Sequence, residues 1–116
     1  MQSKGESVME RPVSPGVEIL NFGGTIGDVD TIRLRDIFGQ LSIRGEPRIV
    51  CNFYEVEDLS LAALGLFIRT RRECALSGGD LVVSQPSPEA EEIFRSYDVL
   101  TKIPVYEDDS QAVAHF

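Results

Sequence analysis

The sequence holds no tryptophan, two cysteines and a single histidine, and each scarcity removes a class of chemistry. Cys51 and Cys74 have neither metal-ligand nor C-x-x-C spacing, and a secreted domain of this size usually carries several paired cysteines. Two free, mostly buried thiols in an intracellular protein are the expectation. His115 stands one residue from the end of the chain, where orientation as a base or metal ligand is not expected. That sets aside histidine-dependent triads and His-rich metal sites. No apolar run approaches the roughly 18 residues that cross a bilayer, and MQSKGESVMERPVSPG lacks the apolar centre of a signal peptide, so a cytoplasmic protein without direct membrane insertion is expected. Basic residues are also few, 11 against 19 acidic, and the formal net charge of −8 repels nucleic-acid and lipid phosphates. No nucleic-acid partner is expected.

What the sequence does contain, 116 residues of which 42% are apolar, suits one domain around one core. Residues 1–6 are polar and aperiodic and read as a flexible leader, leaving 7–116 as the domain. Val8, Met9 and Val13 suggest a short edge strand limited by Pro12 and Pro15. VEILNFGG reads as a strand closing at Gly23 and Gly24. From Asp28 the period becomes helical, with Ile32, Ile37, Leu41 and the nearby Leu34 and Phe38 recurring at roughly the spacing of one amphipathic helix, Asp28 or Asp30 as cap and Gly45 as stop. RIVCNF after Pro47 reads as a central strand buried on both faces, followed by a loop, YEVED.

The segment LSLAALGLFIRTRREC is a second helix, apolar over its first two turns and basic afterwards, and Ser77, Gly78 and Gly79 end it. DLVVS is a further strand, and Ser87 with Pro88 opens a third helix over about residues 89–97, with Ile93 and Phe94 inward. IPVY is a short final edge strand because of its proline, and Ser110 is placed to cap a last helical turn reaching Ala114. The order predicts a single-domain α/β fold, a mixed and largely parallel sheet of about four to five strands with about four helices.

Motifs for catalysis are largely missing. FGGTIGD has glycines but neither the Gly-Lys-Ser/Thr ending of a phosphate loop nor dinucleotide-binding spacing, so Gly23, Gly24 and Gly27 read as turn residues. Glu55, Glu57 and Asp58, and likewise Glu107, Asp108 and Asp109, lack the alternation of a calcium loop and read as solvated charge, with no metal or cofactor expected. Arg69, Arg71 and Arg72 suit either the carboxyl end of a helix or a phosphate ligand. Ser60 suits an N-cap. Leu61, Ala62, Ala63, Leu64, Leu66 and Phe67 offer more apolar surface than one helix face hides against a sheet, which fits either a second covering element or a docking face for another protein.

Over about residues 8–114 the chain resembles the STAS family (sulfate transporter and anti-sigma factor antagonist). The resemblance is carried by VEILNFGGTIG before DVDTIRLRDIFGQL, by IVCNFYEVEDLSLAALGLFIRTRREC, by SGGDLVV and by SPEAEEIFRSYDVLTKIPVYEDDSQAV, in that order and spacing. In the family the loop after the central strand usually reads aspartate, two serines, glycine, leucine and glycine, and in many members the second serine is phosphorylated. Aligning Gly65 with the last glycine puts Ser60 at the aspartate, Leu61 at the first serine and Ala62 at the phosphoacceptor. Asn52 stands where an aspartate commonly ends the strand.

The resemblance implies a non-catalytic antagonist of a partner-switching system. It would bind an anti-sigma factor or related serine kinase through Glu55, Glu57, Asp58, Ser60, Leu61, Ala62, Ala63 and Leu64. Ala62 cannot accept the phosphate whose charge switches such an interface, and Ser60 is the nearest alternative hydroxyl. The resemblance also implies a second partner class, a membrane-transport ATPase held by an accessory subunit.

Overall fold

The computed structural model describes residues 8–14, 16–43 and 45–116. The expected leader, residues 1–6, lies outside them. Five strands form one sheet in the order β1-β2-β3-β4-β5, with β1 (Val8–Ser14) antiparallel to β2 (Val17–Ile26). The strands β2, β3 (Arg48–Leu59), β4 (Asp80–Ser84) and β5 (Val105–Tyr106) run parallel, each joined to the next by a connection that contains a helix. Pro12 sits in β1, an edge strand, beside the register shift between Pro12 and Ser14, the kind of position at which a sheet tolerates proline.

Both faces of the sheet are covered. On one, α1 (Thr31–Ser42), α2 (Leu61–Leu76) and α3 (Pro88–Ser96) bury Leu20, Ile49, Cys51, Leu81 and Val83. On the other, Val17, Ile19, Val50 and Val82 pack under Ala112 of α4 (Asp109–Val113). Consecutive residues of β3 and β4 therefore alternate between two apolar environments, which is why both strands read as continuous apolar runs. Phe67 of α2 is the hub of the larger core, with its ring centroid 5.2 Å from Phe22, 5.6 Å from Phe38 and 5.1 Å from Phe53, all edge-to-face.

The helix boundaries follow local chemistry. Ser60 accepts a hydrogen bond from Ala63 N at 3.1 Å and Ser87 from Ala90 N at 3.0 Å, so both expected caps are present, with Pro88 in the first turn of α3. Gly79 follows α2 because nothing larger fits: a Cβ there would lie 1.8 Å from the Pro47 carbonyl oxygen. That carbonyl accepts from Asp80 N at 2.9 Å, fixing the start of β4 beside β3.

Several expectations are corrected. The strand β2 runs past Gly24 to Ile26, and α1 ends at Ser42 rather than at Gly45. Ile32 points outward, because Leu34, Phe38 and Leu41 already fill the inner stripe of α1. The cap of α4 is Asp108, accepting from Gln111 N at 2.8 Å, and Ser110 falls inside the helix.

The expected loop YEVED is part of β3, which continues to Leu59. Three attachments keep it extended: pairing with Gly23–Ile26 of β2, the Phe53 carbonyl accepting from Ser87 N at 3.1 Å, and the Val56 carbonyl accepting from Ser87 Oγ at 2.6 Å.

Candidate functional site

The carboxyl end of the sheet gathers most of the side chains singled out in the sequence. Two register shifts against β2 each insert one extra residue into β3. They convert the usual alternation into a repeat of three, with Phe53, Val56 and Leu59 buried and Tyr54, Glu55, Glu57 and Asp58 exposed. The acidic side chains are thereby held outward by a strand rather than carried by a mobile loop. On the β2 side Gly24 takes a φ of +68°, a left-handed conformation that favours glycine. Gly24, Tyr54, Glu55, Glu57 and Glu89 line an open groove of ≈ 560 Å³ between this end of the sheet and the start of α3.

The first turn of α2 completes the site. Ser60 N donates to the Ile26 carbonyl at 2.9 Å, which ties the helix start to β2, and its hydroxyl is engaged as the cap. Leu61 is 61% exposed and Ala62 is also exposed, whereas Ala63 and Leu64 are buried. Of the eight residues expected to contact a partner, Glu55, Glu57, Asp58, Leu61 and Ala62 present surface, Ser60 is half-buried, and Ala63 and Leu64 serve the core. Leu66 and Phe67 are buried as well, so much of the apolar excess in α2 is accounted for by packing between the sheet and α1.

Asn52, buried at the centre of this end, is held from three sides. Its Nδ2 donates to Gln85 Oε1 at 3.0 Å and to Asp109 Oδ1 at 2.9 Å, and its Oδ1 accepts from Tyr54 N at 2.9 Å. Ser84 Oγ donates to the same Asp109 oxygen at 2.6 Å. An aspartate at position 52 would supply no donor to Asp109. The amide is thus matched to the carboxylate that α4 brings across the sheet.

At the opposite end, His115 is held by two hydrogen bonds although it stands one residue from the end of the sequence. Its Nε2 lies 2.8 Å from Asp80 Oδ2 and its Nδ1 2.7 Å from the Tyr106 hydroxyl. Arg71 Nε donates to the other Asp80 oxygen at 2.9 Å and its NH1 to the Lys102 carbonyl at 2.9 Å, which makes Arg71 a structural tie. Burial pushes the Asp80 carboxyl up, but hydrogen bonds from Arg71, His115 and Leu81 N, together with the Arg71 charge, hold it below its ordinary value. This cluster is not legible in local sequence, since the partners of Asp80 lie 9 and 35 positions away.

Both thiols are free and buried. Burial, then proximity to Cys74, drives Cys51 well above the ordinary thiol range, and burial, then Asp80 and Glu73, raises Cys74 to about 11. Among the described residues no helix is long and apolar enough to cross a membrane.

Comparison with known proteins places this architecture. The fold matches SpoIIAA, an anti-sigma factor antagonist, in its unphosphorylated form, with a TM-score of 0.80 at 15% identity over 94% of this chain and 95% of that one. The phosphorylated form of the Bacillus protein gives 0.73 at 15% identity, over 94% and 98% of the two chains. An anti-sigma factor antagonist from Mycobacterium paratuberculosis gives 0.80 at 19% identity, over 98% and 97%. No curated protein matches the sequence. The family model for the STAS domain matches residues 9–112, nearly the whole of the sheet and its helices, and the chain belongs to the STAS domain family.

Proposed function

We propose that the chain is a non-catalytic, anti-sigma factor antagonist-like component of a partner-switching system, and that it docks an anti-sigma factor or related serine kinase with the carboxyl end of β3 and the first turn of α2. The observation that carries this reading is the outward display of Glu55, Glu57, Asp58, Leu61 and Ala62 from regular strand and helix at one end of the sheet. Solved structures of the same fold are of anti-sigma factor antagonists, which supports the partner class. No observation on the chain favours a transport ATPase, so the reading is confined to the first class.

Within that reading, Ala62 occupies the phosphoacceptor position and docking is not released by phosphorylation there. Exposure of Ala62 in the first turn of α2 supports the placement, because a serine at this position would be open to a kinase. A phosphate would sit near the positive end of the helix dipole yet beside Asp58 and Glu57, adding negative charge to an already acidic face.

The test is incubation of the purified chain with its partner kinase and ATP, followed by intact mass measurement. The wild-type chain is expected to stay unmodified, while Ala62→Ser gains about 80 daltons, one phosphoryl group. A gain on the wild-type chain mapped to Ser60, or no binding of any such kinase, contradicts the proposal.

A further inference from the structure

We infer that the docking face continues from α2 onto the 3-10 turn Asp28–Asp30 and the first turn of α1, where Val29, Ile32 and Leu61 form an apolar contact centre for a protein segment whose aliphatic side chain is flanked by lysine or arginine. The inference rests on the docking reading above and adds both the extent of the surface and the chemistry of what it takes.

Three observations carry it. Val29 is 88% exposed, Ile32 74% and Leu61 61%, three large aliphatic side chains that the fold leaves in water. All three stand at one end of the molecule: the 3-10 turn packs against α2, and Ser60 N bonds the Ile26 carbonyl just before that turn.

Nor does this exposure come from a frayed segment. Gly27 N donates to Asp30 Oδ2 at 2.7 Å, Asp30 N to the Gly27 carbonyl at 3.0 Å, and Thr31 Oγ1 to the Asp28 carbonyl at 2.8 Å. Side chains held outward on a fixed turn lose little freedom when covered, so their burial goes into affinity rather than into ordering. Leu34, Phe38 and Leu41 already supply the inner stripe of α1, which leaves Val29 and Ile32 without a role in the fold.

Charge decides the partner. Asp28, Glu55, Glu57 and Asp58 are exposed at this end, against Arg33 in the first turn of α1 and Arg35 beyond it, on a chain of net charge −8. An acidic excess at the end of the molecule that carries this apolar centre selects a segment in which an aliphatic side chain lies between cations, and repels an acidic surface such as a second copy of this chain.

The test is photocrosslinking of the full chain in its own cells, with a photoreactive phenylalanine analogue placed singly at positions 29, 32, 61 and, at the opposite end, 100. Crosslinks to one common partner from 29, 32 and 61 but not 100 are expected, with the joined peptides rich in lysine or arginine next to aliphatic residues. With that partner purified, the pair Val29→Asp and Ile32→Asp is expected to weaken binding at least about tenfold at unchanged melting temperature. Crosslinks from 61 alone overturn the inference and leave the docking reading intact. Crosslinks to a second copy of the chain, peptides without basic residues, or no crosslink at 29 and 32 also overturn it. A common partner that is neither an anti-sigma factor nor a kinase overturns the proposed function while the surface stands.

Discussion

The Asn52 amide and the Asp109 carboxylate meet at 2.9 Å across the end of the sheet, joining β3 to α4 through a donor that aspartate at position 52 would not possess. Asn52→Asp places a second carboxyl beside Asp109 and leaves Gln85 Oε1 without its donor. The expected cost is about 1–3 kcal/mol at neutral pH. Repulsion raises the folded-state pKa of the new carboxyl above its unfolded value, so the penalty is smallest in acid and grows as pH rises. Urea unfolding of both proteins at pH 4 and pH 7 checks the sign.

Asp80 gives the opposite dependence in the wild-type chain. Its folded-state pKa lies below the unfolded value, so its contribution is complete above the unfolded carboxylate range and is lost as pH falls through the folded value. Asp80→Asn is expected to cost about 1–3 kcal/mol near pH 7, by loosening Arg71 and His115. The stability gap between the two proteins is expected to close toward pH 2, which thermal unfolding against pH will read.

Gly79 tests the junction of α2 with β4. A methyl group there overlaps the Pro47 carbonyl, which is backbone and cannot swing aside, so Gly79→Ala is expected to cost at least about 3 kcal/mol. Equilibrium unfolding in urea measures it, and Gly39→Ala, where a Cβ meets nothing within 4 Å, serves as the control.

The thiols offer a check on the core. With Cys51 fully buried and Cys74 raised to about 11, neither is expected to react with a thiol reagent at pH 8 until the chain unfolds. Modification rates with and without denaturant settle the point, and rapid labelling of the folded chain would contradict the packing described.

Those features of the fold written in adjacent residues were legible in advance. Ser60 and Ser87 announce helices because a cap is a contact over three positions, and β4 reads as a strand because both its faces are buried. The end of β3 was not legible. Its bulges replace alternation by a repeat of three, and consecutive charges in such a repeat look like a loop. Ile32 fits the helical period and still faces water, since the inner stripe of α1 was already complete without it. His115 looked unanchored because Tyr106 and Asp80 reach it only through the folded sheet. At the candidate site the residue types were readable, but which of Leu61, Ala62, Ala63 and Leu64 face outward is a matter of helix phase, fixed by Phe67 entering the core.

The measurement that bears most directly on the docking claim is the affinity of the purified anti-sigma kinase for the wild-type chain and for Leu61→Asp, Ala62→Glu and, at the far end, Leu100→Asp, with melting temperatures taken alongside. A carboxylate in the first turn of α2 is expected to lower affinity at least about tenfold with folding unchanged, and Leu100→Asp to leave it as it was. Equal affinity for all four proteins would contradict the assignment of this end of the sheet as the docking surface.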